Sequence, residues 1–217
     1  DYKVTGVQTC ALPISRNCAE GNVPGAPGDI GCQRLRHPTR FWRMSTASLQ
    51  HSIEESIATK QRLLQSCLPQ IQALCDLAIR TLKNGGKIMF CGNGGSSCDA
   101  AHAAGELVGW FEEKNRRGYA AIALGHETPA LTAIANDQSY EVVFARQLEA
   151  LGRKGDLVIG YSTSGGSKNV VAALRKAREL GIATGAFLGQ KIGACSELAD
   201  VAVQVPSLNT EIGRAHV

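Results

Sequence analysis

Three observations predict an α/β fold: three α/β/α layers around a five-stranded parallel sheet, preceded by an N-terminal helical hairpin. Five short apolar runs recur between residues 87 and 205, each of strand length. Segments with helical spacing separate them, and strands alternating with helices form parallel sheets covered on both faces. Loops rich in Gly or Ser follow the first and third runs, the ends at which such sheets hold ligands.

Residues 45–66 place Leu49, Ile53, Ile57, Leu63 and Leu64 among charges, which predicts an amphipathic helix. Pro69 opens a second, with Ile71, Leu74, Leu77, Ala78 and Leu82 on one side, and Asn84-Gly85-Gly86 stops it. An apolar stripe this broad ahead of the first strand needs a cover, so the pair is expected to pack against another subunit. Residues 87–91 predict the first strand and 97–111 a helix. Residues 112–118 read as a polar surface loop whose basic side chains, Arg116 and Arg117 among them, are solvated or reach an acidic ligand. Residues 120–124 predict a second, buried strand. Helices are expected over 128–135 and 139–151, separated by Asn136-Asp137. The third strand follows at 157–161, a helix at 169–180 with Val170, Val171, Leu174 and Ala177 inward, and the fourth strand at 183–188. A short helix at 195–199 and a fifth strand at 201–205 complete the pattern.

The two ends read differently. Residues 1–43 hold Pro13, Pro24, Pro27 and Pro38 and no sustained periodicity, a composition that predicts a non-native or disordered leader. Residues 4–15 and 211–217 resemble translated sequencing adapter, so the natural chain is expected to start at Met44 and to continue differently after Thr210. On that reading the domain spans 44–210 without its last helix, and the 217-residue chain is expected to be inactive and poorly assembled. The net charge of +4 lies mostly in the leader, and the near-neutral remainder excludes a basic nucleic-acid footprint. No run approaches the roughly 18 to 20 apolar residues of a membrane span, and the protein is expected in the cytoplasm. None of the eight Cys forms a CxxC pair, which predicts buried, reduced thiols.

The chemistry concentrates in two stretches. Gly92-Asn93-Gly94-Gly95-Ser96-Ser97 joins the first strand to its helix, where helix-start N–H groups cradle phosphate or carboxylate oxygens. Ser97 stands where a dinucleotide fingerprint requires its third Gly or Ala, which argues against a nucleotide cofactor. Ser162-Thr163-Ser164-Gly165-Gly166-Ser167 supplies four hydroxyls after the third strand, more than a helix cap needs and suited to a phosphate monoester. His102 and Glu106 stand at i and i+4, so both project from one helical face. Packed among small residues they are expected to line a cavity, as an acid/base pair or as half of a metal site. Asn136-Asp137 is equally a turn with an Asx cap or a functional pair. His126 and His51 read as ordinary surface or cap residues.

Cys91-Gly92-Asn93-Gly94-Gly95-Ser96, Asp99, His102, Glu106, Asn136-Asp137 and Ser162 to Ser167, in this order and spacing, resemble the phosphoheptose isomerases of the SIS (sugar isomerase) superfamily. The resemblance implies the SIS fold and a homotetramer with sites between subunits. It also implies isomerisation of sedoheptulose 7-phosphate to D-glycero-D-manno-heptose 7-phosphate, for the heptose of bacterial lipopolysaccharide. Asn93, Gly94, Gly95, Glu106, Asn136, Asp137, Ser162, Thr163, Ser164 and Ser167 would then contact substrate, the four hydroxyl residues holding phosphate. His102 and Glu106 would be Zn²⁺ ligands, and Glu106 also the catalytic base. A Gln and a His on a helix after Thr210 would complete the set, and His216 does not have the spacing to replace them. The competing reading is a non-catalytic SIS protein of the replication-initiator-associating type, which lacks the His/Glu pair. A sugar-phosphate-sensing regulatory domain would usually bring a DNA-binding module, and none is visible before Met44.

Overall fold

A computed structural model of the chain describes residues 45–209 and Ile212. The expectations for residues 1–43, and for 211–217 apart from Ile212, lie outside the described residues, His216 included. Ile212 is buried. Five parallel strands form one sheet in the order β2-β1-β3-β4-β5: β1 (Ile88–Gly92), β2 (Ala121–Ala123), β3 (Leu157–Ser162), β4 (Ala183–Leu188) and β5 (Val201–Gln204).

The helices follow the expected order. Two precede the sheet, α1 (Thr46–Ser66) and α2 (Leu68–Lys83). Ser45 caps the first, its Oγ accepting from Ser48 N at 3.1 Å. Their connection is shorter than a hairpin loop. Cys67 alone separates them in right-handed helical conformation, and i to i−4 bonds run from Cys67 N to Leu63 O and from Ile71 N to Cys67 O. Pro69 lies in the first turn of α2, where its missing N–H costs no hydrogen bond. The remaining helices are α3 (Gly95–Val108), α4 (Thr128–Asp137), a 3₁₀ turn (Tyr140–Val142), α5 (Val143–Leu151), α6 (Lys168–Glu179) and α7 (Ala194–Leu198).

Strand alternation divides the core into two layers. Ile88, Phe90, Leu157, Ile159 and Tyr161 pack with Leu74 of α2 and with Ala100 and Ala104 of α3. Met89, Cys91 and Val158 face the other way, onto Phe144 and Leu148 of α5, Val170 and Leu174 of α6, and Cys195 of α7. Cys67, Cys91 and Cys195 are buried free thiols as expected, whereas Cys75 and Cys98 are exposed. Burial first, and then Cys195, pushes the Cys91 thiol up to about 12, which leaves it unreactive. The strand β2 is half-buried rather than buried, because it is the sheet's edge and pairs only with β1. On α1, Leu49, Ile53, Ile57 and Leu64 are exposed, with Leu68 and Ile79 of α2. Among the described residues no helix is long and apolar enough to cross a membrane.

Asp156 ties the starts of β1 and β3 together. It is 4% exposed and accepts from Lys87 N at 3.0 Å, Arg153 N at 2.8 Å and Lys87 Nζ at 2.5 Å. Its burial raises the proton affinity of the carboxyl, but the Lys87 and Arg153 donors outweigh this and hold it below the usual carboxylate range. Its contribution to stability is thus complete above about pH 4 and is lost as pH falls through the depressed folded value. Asp156→Ala, which strands two N–H groups and an ammonium, is expected to lower unfolding free energy by about 2–3 kcal/mol at pH 7. Urea unfolding at pH 7 and below pH 4 checks both statements. A variant as stable as the parent at pH 7 contradicts them.

Candidate active site

The strands β1 and β3 are neighbours from which the chain winds in opposite directions along the sheet, and the loops leaving their carboxyl ends form one site. After β1, Gly92 admits the close return of α3. A Cβ on it would stand 2.6 Å from Ser96 O. Gly94 takes φ 56° and ψ −121°, a conformation open only to glycine in practice. In the first turn of α3, Ser96 N and Ser97 N bond back to the carbonyls of Asn93 and Gly94, at 3.0 Å each. The cradle expected from the sequence would therefore rest on the earlier N–H groups of Gly94 and Gly95.

The loop after β3 is a cluster of hydroxyls. Ser162 is buried, and its Oγ lies 2.9 Å from Ser167 Oγ and 3.4 Å from Ser164 Oγ. Ser164 Oγ also accepts from Gly166 N at 3.3 Å. Half-buried Thr163 and exposed Ser164 leave the cluster open to an incoming anion. Ser167 occupies the N-cap of α6 yet makes no side-chain cap bond, its hydroxyl being turned to Ser162. This argues against a plain helix cap: in the first turn of α6 Val170 N is taken by Asn169 Oδ1, and the N–H groups of Lys168 and Asn169 are left for another acceptor, which at the positive end of a helix is best an anion.

A side-chain pair joins the two loops. Asn93 Nδ2 donates to Asn169 Oδ1 and Asn169 Nδ2 to Asn93 Oδ1, both at 2.8 Å, and Tyr140 Oη donates to Asn93 Oδ1 at 3.1 Å. A cavity of about 310 Å³ opens beside them, lined by Asn93, Tyr140, Glu141, Ser167, Lys168 and Asn169. Sequence reasoning missed Asn169 and Tyr140. A polar residue beginning a helix whose next residues point inward was a signal for Asn169, and Tyr140 had none.

The other expected site residues stand around this centre. His102 Nε2 lies 3.2 Å from Glu106 Oε1 on α3, with the side chains 65% and 43% exposed. The pair thus occupies an open helix face of the single chain, not the enclosed cavity expected, because among the described residues no other element covers these two side chains. Asn136 and Asp137 do not form the turn between helices. They end α4, exposed, with Asn136 Nδ2 donating to Asp137 Oδ1 at 2.9 Å. His126 is more than a cap: its Nε2 lies 3.0 Å from Ser97 Oγ and 3.1 Å from Ser97 O, joining the loop after β2 to α3. Arg116, expected to be solvated, donates to the carbonyls of Glu106 and Leu107 and lies 4.7 Å from the Tyr119 ring centre. It closes the carboxyl end of α3.

A parallel sheet in this order, with a Gly-rich cradle after β1 and a hydroxyl loop after β3, defines a sugar-isomerase domain, and residues 52–189 match the SIS domain family. The chain is 49% identical to the phosphoheptose isomerase of Roseiflexus sp. (strain RS-1) over 166 residues, 76% of this chain and 84% of that one. Solved phosphoheptose isomerases from Neisseria gonorrhoeae and Francisella tularensis superpose with TM-scores of 0.74 and 0.76 at 36% and 31% identity, each over 78% of this chain and 90% of the other. The chain belongs to the phosphoheptose isomerase family of SIS-domain proteins.

Proposed function

We propose that the protein interconverts sedoheptulose 7-phosphate and D-glycero-D-manno-heptose 7-phosphate, the step that commits a seven-carbon sugar to lipopolysaccharide heptose. The observation that carries this reading is the joining of an anion cradle and a hydroxyl cluster at the β1/β3 switch point, in a chain 49% identical to a phosphoheptose isomerase. The hydroxyls of Ser162, Thr163, Ser164 and Ser167 and the N–H groups of Lys168 and Asn169 at the start of α6 bind the phosphate. Asn93, Gly94, Gly95, Asn136 and Asp137 hold the sugar.

Aldose–ketose exchange moves one proton between C1 and C2 through an enediol. Glu106 takes that proton from one carbon and returns it to the other. Positive charge near the carbonyl oxygen lowers the barrier, since the oxygen gains negative charge as the proton leaves.

An imidazole nitrogen and a carboxylate oxygen on adjacent turns suit two positions of a Zn²⁺ site, which His102 and Glu106 would hold. Among the described residues no cluster of three His, Cys, Asp or Glu could hold a metal, so further donors come from elsewhere. Bound Zn²⁺ would supply a Lewis acid beside the carbonyl. The exposed apolar residues of α1 suit a homotetramer, in which a neighbouring subunit would cover the open face of α3. A cytoplasmic location fits a phosphorylated substrate.

The test is incubation of purified protein with sedoheptulose 7-phosphate, the 217-residue chain beside one carrying the genomic reading frame after Thr210. Formation of the aldose phosphate by either supports the reading, and activity in the extended chain alone supports the view of residues 211–217 as non-native. No conversion by either contradicts the function.

A further inference from the structure

Asn169 is 2% exposed and contributes nothing to the apolar core around it, so its amide must have its partners inside the protein. It has three. Asn169 Oδ1 accepts from Val170 N at 3.0 Å and from Asn93 Nδ2 at 2.8 Å, while its Nδ2 donates to Asn93 Oδ1 at 2.8 Å. The backbone N–H of Val170 can only donate, so the oxygen of Asn169 has to face it. That fixes which way round the Asn169 amide lies, and through the reciprocal pair it fixes Asn93 as well. Asn93 Oδ1 then holds two donors, Asn169 Nδ2 and Tyr140 Oη, and its two lone pairs are filled. Asn93 Nδ2 has given one hydrogen to Asn169 and retains one.

We propose that Asn169 is a positioning residue that, with Tyr140, sets the polarity of Asn93, so that Asn93 offers the ligand one N–H donor and no acceptor. The ligand atom at this position is then an acceptor oxygen, of the sugar or of its phosphate. The same pair holds the β1 cradle at a constant distance from the hydroxyl loop, since Asn93 stands at the start of one and Asn169 two residues after the other. The identity of the ligand rests on the isomerase reading, whereas the amide geometry does not.

The test pairs kinetics with amide NMR. Asn169→Ala and Tyr140→Phe are each made in a parent chain carrying the genomic reading frame after Thr210 and in its Asn93→Ala background, and KM and kcat for sedoheptulose 7-phosphate are measured. Asn169→Ala is expected to raise KM about tenfold or more, the effect of losing a hydrogen bond in a buried site. Tyr140→Phe, at a half-exposed side chain and safe for folding, is expected to raise KM less. Neither change should add to Asn93→Ala, because both act through that side chain. An unchanged KM, or a KM effect of the same size in the Asn93→Ala background, overturns the proposal. In ¹⁵N spectra without ligand, the two Asn93 side-chain protons should differ widely in shift in the parent and converge in Asn169→Ala, or in Tyr140→Phe if the alanine variant fails to fold. Unaltered Asn93 signals also overturn it. A chain carrying the genomic reading frame after Thr210 that shows this amide signature but does not turn over the sugar phosphate refutes the isomerase reading alone.

Discussion

Glu106→Gln is expected to lower kcat by about 10² to 10⁴, the usual cost of losing a general base, while leaving affinity for the sugar phosphate largely intact. Gln keeps the length and one oxygen of Glu but cannot accept a proton at that pH. The fold should not notice the change. The Glu106 side chain is 43% exposed with His102 Nε2 3.2 Å from its Oε1, and Arg116 holds the backbone carbonyl of residue 106, not its side chain. Stopped assays of turnover, with calorimetric binding of the sugar phosphate to both proteins, measure the effect. Near-parental turnover by the Gln variant removes Glu106 from the mechanism, and loss of binding equal to the loss of turnover makes it a binding residue only.

The second large effect is expected at the hydroxyl loop. Ser164→Ala removes a donor that a charged phosphate would use, and a hydrogen bond to a charged group contributes roughly 1.5–3 kcal/mol, or about 10- to 100-fold in affinity. Arg116→Ala removes a full positive charge yet should leave phosphate affinity unchanged, because the guanidinium is committed to the end of α3. That variant should instead lose roughly 0.5–1 kcal/mol of stability. Phosphate binding and urea unfolding of both variants separate the two roles. The reverse order of affinity loss would move the phosphate site to residues 112–118.

The features that could be read in the sequence were those determined locally. Each apolar run became a strand within a residue or two of its expected bounds, since its length and composition suit only a strand buried under helices. The four hydroxyls of Ser162 to Ser167 were legible because one cap needs only one of them. Asn169 was hidden for the opposite reason. Its partner Asn93 is 76 residues away, and nothing near either residue encodes the pairing. Asn136 and Asp137 favour turns by propensity, but the packing of α4 carries helix through them to Asp137. The half-burial of β2 reflects its place at the sheet edge, a property of strand order and not of Ala121–Ala123 themselves. Spacing placed His102 and Glu106 on one face, whereas their exposure depends on what lies against α3.

The central claim is that this chain's family and site make it a sugar-phosphate isomerase working through an enediol. The most direct measurement is conversion of sedoheptulose 7-phosphate in D₂O, followed by NMR until the two sugars equilibrate. A proton resting on the Glu106 carboxyl is labile, so over the many turnovers that reach equilibrium it exchanges with solvent. The account predicts that deuterium enters C2 of the aldose phosphate and C1 of the ketose phosphate, and that Glu106→Gln suppresses both together. Conversion with no solvent label at equilibrium, or label incorporated equally by the Gln variant, would contradict it.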